Sequence, residues 1–377
     1  QSAVFSAVSP VERQPDMPVN ETTTEAIRVM TICNACRYCE GHCAVFPAME
    51  RQTEFTQNNI ELLSNLCHQC GACYQHCQYA DPHEFNVNVP AVFEQARLES
   101  YTQFLWPAFM QPAVLNGSKF MVTSLLVSIS LFLVAVAGQS GVSQILAPQV
   151  NFYNLMPHSV MASIFSFSAV VVVISWWMTL RGYWHSISLP SPWSIGMASY
   201  SAAIASALTL KNLDGGHGSG CYESGESPSL WKRRYHHLVL IGFFMCFSAT
   251  LAGTFYHYGL NIAAPYSWLT PPKILGVTGG IMLLVGCTGL FRIKQTTDQR
   301  LVSNDNGYGM SLTVLLFLTS LTGLGLPIAK GTGALGLLLA VHLGCVLALF
   351  LNFAWGKFTH GFFRLIALVA DEHQKTQ

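Results

Sequence analysis

Charge is what this sequence has least of. Its 377 residues include 19 Lys and Arg and 19 Asp and Glu, a tenth of the chain, while 51% is hydrophobic and mean hydropathy is +0.37. A soluble domain gives about a quarter of its residues to charge, so the deficit argues against an ordinary soluble protein and points to lipid. Net charge is zero, which leaves no reason to invoke nucleic acid. Residues 1–30 are polar, with Pro10, Pro15 and Pro18, and lack the apolar core of a secretory signal; they read as a poorly ordered lead-in. No glycine fingerprint stands in the strand-to-helix setting that a nucleotide needs, so acid–substrate chemistry is not expected of this chain itself.

What the chain does have is cysteine, unevenly placed. Of its 12 cysteines, four (Cys221, Cys246, Cys287, Cys345) are scattered and the rest fall between Cys33 and Cys77. Thiols packed two and three residues apart suit a metal better than disulfide pairing. Cys33, Cys36, Cys39 and Cys43 lie in CNACRYCEGHC, and Cys67, Cys70, Cys73 and Cys77 repeat that spacing in CHQCGACYQHC. This is the bacterial ferredoxin run, in which the fourth cysteine ligates the other cluster. The expected ligand sets are therefore Cys33, Cys36, Cys39 and Cys77 for one 4Fe–4S cluster, and Cys67, Cys70, Cys73 and Cys43 for the other. Zinc is the weaker reading, because its Cys-x-x-Cys pairs usually stand well apart. One departure is that Ala44 and Gln78, not proline, follow the fourth cysteines. His42, His68, His76 and His83 lie nearby and read as solvated surface side chains.

Six runs contain no Asp, Glu, Lys or Arg and are long enough, or nearly so, to span a bilayer: 120–137, 160–180, 238–256, 274–291, 312–329 and 334–353. A seventh, 195–210, is shorter and rich in Ala and Ser. If it does not cross, Arg181, Lys232, Arg233, Arg234, Arg292, Lys294, Arg300, Lys357 and Arg364 all share the side of the cysteine domain. The far-side loops 138–158 and 258–272 then hold no Lys or Arg, which satisfies the positive-inside rule. The expected fold is an α-helical membrane protein. A ferredoxin-like two-cluster domain (31–105) precedes a bundle of about six transmembrane helices (118–370), with a cytoplasmic insertion at 194–235 and both termini in the cytoplasm.

An ionisable group inside lipid is by default a functional hypothesis. His342 is the one deep within a run. It precedes His360 by five helical turns, about 27 Å along one face. His236 and His257 bracket the third span, about 31 Å apart, and antiparallel packing would level His236 with His360 and His257 with His342. Facing histidines on neighbouring helices can hold low-spin haem, so these four are candidate ligands of one or two b-type haems. The alternative is that those near membrane ends simply sit in the interface, as His158 and His185 are read to do. His217 with Cys221 reads as loop rather than ligand pair, and Cys246, Cys287 and Cys345 as small buried hydrophobes.

The blocks CNACRYCEGHCAVFPAME (33–50) and CHQCGACYQHCQYADPHEFNVNVP (67–90), and the glycine-rich loop leading into WKRRYHHL (231–238), closely resemble the tricarballylate utilization protein B family, also called citrate utilization protein B. The likeness runs from about residue 28 to the end. It implies a membrane iron–sulfur and haem protein of the bacterial inner (cytoplasmic) membrane. Such a protein takes electrons from an FAD-dependent partner, tricarballylate dehydrogenase, and delivers them to membrane quinone. The His342/His360 spacing also looks like the gamma subunit of respiratory nitrate reductases, over one helix only. Two rival classes are a self-contained membrane oxidoreductase and a tricarboxylate transporter with a redox-sensing domain. The transporter lacks support, since no run carries a Lys or Arg to meet a carboxylate near mid-membrane.

Overall fold

A backbone in lipid must satisfy its own polar groups, and a helix does so within one segment. The computed structural model of this protein is accordingly helical throughout. It describes residues 20–377 apart from 142–144, 146–154, 217, 224, 226 and 304–306; the expectations for residues 1–19 and for His217 lie outside these. Among the described residues the nearest approach to a strand is one isolated bridge between Cys221 and Ser229.

The N-terminal part consists of α1 (Glu21–Cys36), α2 (Val45–Glu50), α3 (Gln57–Leu66), α4 (Ala72–Gln75) and α5 (Val89–Phe104). Residues 20–30 therefore correct the reading of a poorly ordered lead-in. The Asn20 side chain caps α1 by accepting from the Thr23 N–H, and it donates to Glu99 on α5, as does Thr22. Asn followed by an acidic first turn is a helix-start signal.

A short α6 (Gln111–Leu115) leads into the bundle: α7 (Gly117–Ser140), α8 (His158–Ser186), α10 (Trp231–Gly259), α11 (Pro271–Thr296), α12 (Tyr308–Ala329) and α13 (Leu335–Trp355), with α9 (Met197–Leu208) between α8 and α10 and α14 (His360–Gln374) at the end. Six of these are long and apolar enough to cross a membrane, and they match the six charge-free runs. α10 and α11 pack closest. A Cβ on Gly242 would lie 2.8 Å from Gly279 O, and one on Gly279 the same distance from Gly242 O, the small-residue contact by which helices approach in lipid. α13 is central, with Asn352 donating to Ser124 of α7 in the buried interior.

Helix α9 has 12 residues, about 18 Å, too short for a typical bilayer crossing. It packs on α14. The boundary expected near residue 105 is not a break in packing. One hydrophobic core joins Met30, Phe46, Leu63 and Phe93 to Tyr183, Ala203 and Phe363. Arg51 and Asp371 pair across the same interface. The expected single helical register from His342 to His360 also fails. α13 stops at Trp355, Gly356 is extended (φ −112°, ψ −167°), and α14 starts afresh at His360. The nitrate-reductase likeness rested on that register and falls with it.

Candidate redox centre

The local fold explains how eight thiols reach two places. α1 carries Cys33 and Cys36 on its last turn. Arg37 ends it with φ 55°, and the exposed loop after it brings Cys39 and Cys43 round to the start of α2. Cys67 follows α3 directly, and Gly71 (φ +76°) turns the chain into α4, which holds Cys73. A side chain at Gly71 would also meet Tyr222 O at 2.5 Å.

The mutual influence of the thiols reveals which stand together. Burial pushes Cys33 up to about 12, helped by Cys77, Cys39 and Cys36 in that order. Cys39 reaches about 12 through burial and then Cys77 and Cys36. Cys43 is raised by burial and then by Cys70 and Cys67, against the Val45 and Phe46 N–H groups that lower it. Cys73 is raised by burial, Cys70, Cys43 and Cys67, with Cys39 the last contributor. Burial raises Cys77 too, opposed by the Tyr79 and Ala80 N–H groups. The fourth cysteine of each run thus lies with the other run, and each accepts two backbone N–H bonds. All eight are free thiols. Among the described residues no three His, Cys, Asp or Glu close up around a single metal ion.

The second set is ringed by cations, Arg97 buried and Lys232 and Arg364 half-buried. Arg97 donates to Ser64 O (3.0 Å), Cys67 O (3.2 Å) and Gln69 Oε1 (3.2 Å), and Arg364 donates to Cys67 O (2.9 Å). Lys232 donates to Gln69 O (2.8 Å) and pairs with Glu223 (3.3 Å). Arg97, Lys232 and Arg364 were not singled out as site residues; only the fold brings them to one peptide. The segment between α9 and α10 closes over the same place. Tyr222 N–H donates to Cys70 O (2.6 Å), and Cys221 is fully buried. His42 and His76 pack edge to face (5.3 Å), and Tyr222 covers His76 (5.0 Å). His42 is buried and His68 half-buried, which corrects their reading as solvated, while His76 and His83 are exposed as expected.

Past Arg97 and Arg364, across a cavity of about 40 Å³, stands His360. Its ring centre is 6.4 Å from that of His236, with planes at 66°. An imidazole bound through one nitrogen holds its centre about 3 Å from the metal, so two rings on opposite sides of one iron stand about 6 Å apart. His360 Nδ1 bonds Lys357 O, which fixes the tautomer and leaves Nε2 as donor atom. His236 Nδ1 is buried with no hydrogen-bond partner. These two residues fit a haem iron. The other expected pair, His257 and His342, is engaged elsewhere in this structure. His257 stacks flat on His158 at 3.9 Å, and Tyr258 bonds His158 at 3.2 Å. His342 Nδ1 bonds Thr322 Oγ1 at 3.0 Å. Its ring sits against the α12 backbone, where a Cβ on Gly323 would meet it at 2.9 Å.

Comparison with known proteins agrees with this division of the chain. Residues 26–103 match the Fer4-like domain of citrate utilization protein B, and residues 116–377 match citrate utilization protein B itself. Citrate utilization protein B of Escherichia coli is 43% identical over 361 residues, covering 93% of this chain and 92% of its own length. No solved structure matches. With a Fer4-like cysteine domain leading into six apolar helices, the chain belongs to the citrate utilization protein B family.

Proposed function

We propose that this protein carries electrons from a soluble FAD-dependent dehydrogenase of a tricarboxylic acid, tricarballylate by family resemblance, to quinone in the bacterial inner membrane. The observation that supports it best is one continuous array. Two exchanged sets of four thiols lie side by side, and the second is joined through Arg97 and Arg364 to His236 and His360 at the edge of the bundle. When bound, two 4Fe–4S clusters and one b-type haem supply the one-electron steps into which a flavin's two-electron chemistry must be divided.

The residues have separable roles. Cys33, Cys36, Cys39 and Cys77 hold the first cluster; Cys67, Cys70, Cys73 and Cys43 hold the second. N–H groups of Val45, Phe46, Tyr79 and Ala80 favour the thiolate form of the two exchanged cysteines. Arg97, Arg364 and Lys232 favour added negative charge at the second set, whereas Arg37 beside the first is exposed. Electrons therefore run from first set to second and on to His236 and His360. The loop carrying Tyr38, 66% exposed, is the side that meets the flavoprotein. The six helices cross the membrane with the cysteine domain, residues 194–235 and both termini on the cytoplasmic side. Residues 222–223, 298 and 300–301 all bond to the cysteine domain or to one another at its edge, in support of that sidedness.

Anaerobic protein poised through a redox titration, followed by optical and paramagnetic-resonance spectra, tests the proposal. Two cluster signals, one haem band and reduction of a short-chain quinone by the reduced protein are expected. Protein isolated with zinc and no acid-labile sulfide would sink it.

A further inference from the structure

Beside the first turns of α10 an open groove of about 620 Å³ follows the helix. Its lining changes along its length. Thr209, Arg233 and His237 stand at the end nearest the cysteine domain, and Leu240, Phe244 and Leu275 carry on into the bundle. From Arg233 to Ser248 it covers about 22 Å of helix. Phe244 and its neighbour in the groove, Ile241, are exposed on the outer face of a membrane helix, so the groove opens to lipid.

The polar end is made for a neutral head rather than an anion. Arg233 donates to Thr209 O at 2.9 Å and lies 3.9 Å from Asp214, which counters its charge. His237 Nε2 bonds Leu208 O at 3.3 Å, and Nδ1 has no partner among the described residues. Position is the second argument. His237 follows His236, whose ring faces His360, and consecutive Cα atoms are about 3.8 Å apart. A ring seated at His237 is thus one residue from the end of the thiol-to-histidine array.

We infer that this groove is the site of the lipid-soluble quinone. The ring carbonyls lie at Arg233 and His237, and the isoprenoid tail lies along Leu240, Phe244 and Leu275. The inference rests on the electron-transfer reading above. Two electrons, passed singly from the reduced flavoprotein, and two protons from the aqueous edge convert the two carbonyls of the quinone to the hydroxyls of the quinol.

The test uses full-length protein in nanodiscs of phosphatidylethanolamine and phosphatidylglycerol, photolabelled with an azido-substituted short-chain ubiquinone. Label is expected within 233–248 or at 208–209, displaced by unlabelled ubiquinone and not by excess phosphatidylglycerol. Leu240→Trp, which fills the groove, should weaken displacement by about tenfold while iron content and cluster signals stay as in wild type. Should that variant fail to fold, Leu275→Phe narrows the groove from α11 and is read the same way. Label confined to other helices, or displaced equally by phosphatidylglycerol, overturns the site. Quinone reduction without label in the groove removes the site and keeps the proposed function. Label in the groove of a protein whose reduced centres never reduce quinone does the reverse.

Discussion

Arg97 and Arg364 share one acceptor: the carbonyl oxygen of Cys67 takes a hydrogen bond from each, at 3.2 and 2.9 Å. Burial, and then Arg97 itself, holds the Arg364 guanidinium below its usual range. Two like charges stay together away from water only where negative charge faces them. Glu94 supplies part of it at Arg97, and the four thiols of the second set, once ionised around iron, would add to it.

Arg97→Gln and Arg364→Gln should each lower the midpoint potential of the second cluster and leave the first unmoved. A shift of tens of millivolts is expected, 1.4 kcal/mol being about 60 mV for one electron. Each loss also removes hydrogen bonds from a charged donor, worth about 1.5–3 kcal/mol. Paramagnetic-resonance titration of both clusters checks this, and equal shifts in the two would contradict the order of electron travel.

Exchanged ligation predicts crossed damage. Cys43→Ser should impair the cluster of the second run, and Cys77→Ser that of the first, since Cys43 stands with Cys70 and Cys67 while Cys33 and Cys39 stand with Cys77. Iron and acid-labile sulfide should each be about eight per chain in wild type, apart from haem iron. Damage confined to the mutated run would mean that each run closes its own cluster.

The histidines now separate into two classes. His236→Ala and His360→Ala should each abolish haem absorbance while both clusters remain. His342→Ala should keep the haem and lose only its bond to Thr322, about 0.6 kcal/mol for a typical interhelical bond in lipid. Haem content measured by pyridine haemochrome decides; haem lost in His342→Ala would restore that residue as a ligand.

How far this could be read in advance depended on the range of the interactions. The six apolar runs were legible because lipid enforces helix, and the helices exceed them where Gly117–Lys119 and Trp231–His237 continue into the interface. The two cysteine runs were legible because their spacing is local. The break at Gly356 was not, since a helical wheel drawn through His342 and His360 assumes the continuity it is meant to test. Nor were the burial of His42 beneath the later loop and the meeting of Arg97 with Arg364, which depend on residues hundreds of positions apart. Distance along the chain hid them.

Glu61 gives the interface between α3 and α8 a pH dependence. Burial raises its carboxyl above the usual 4.5, against the hydrogen bonds from Ser186 and Gln57 that lower it. A raised folded value means that its contribution is fully present below the unfolded value and is lost as pH rises through the folded one. Thermal unfolding followed from pH 4 to pH 8 should therefore show wild type losing stability upward more steeply than Glu61→Gln. Parallel profiles would show that Glu61 is solvated.

The contact between Gly71 and Tyr222 also sets an order of manufacture. The turn that carries Cys70 and Cys73 leaves the ribosome about 150 residues before the segment that covers it, which at bacterial rates is about 8–30 s. In that interval the second set of thiols is open to an iron–sulfur donor. Once α10 is in the membrane and Tyr222 has bonded to Cys70, delivery has to contend with a closed cover. Slowed iron–sulfur supply should thus deplete the second cluster ahead of the first, although both are built from the same spacing of cysteines.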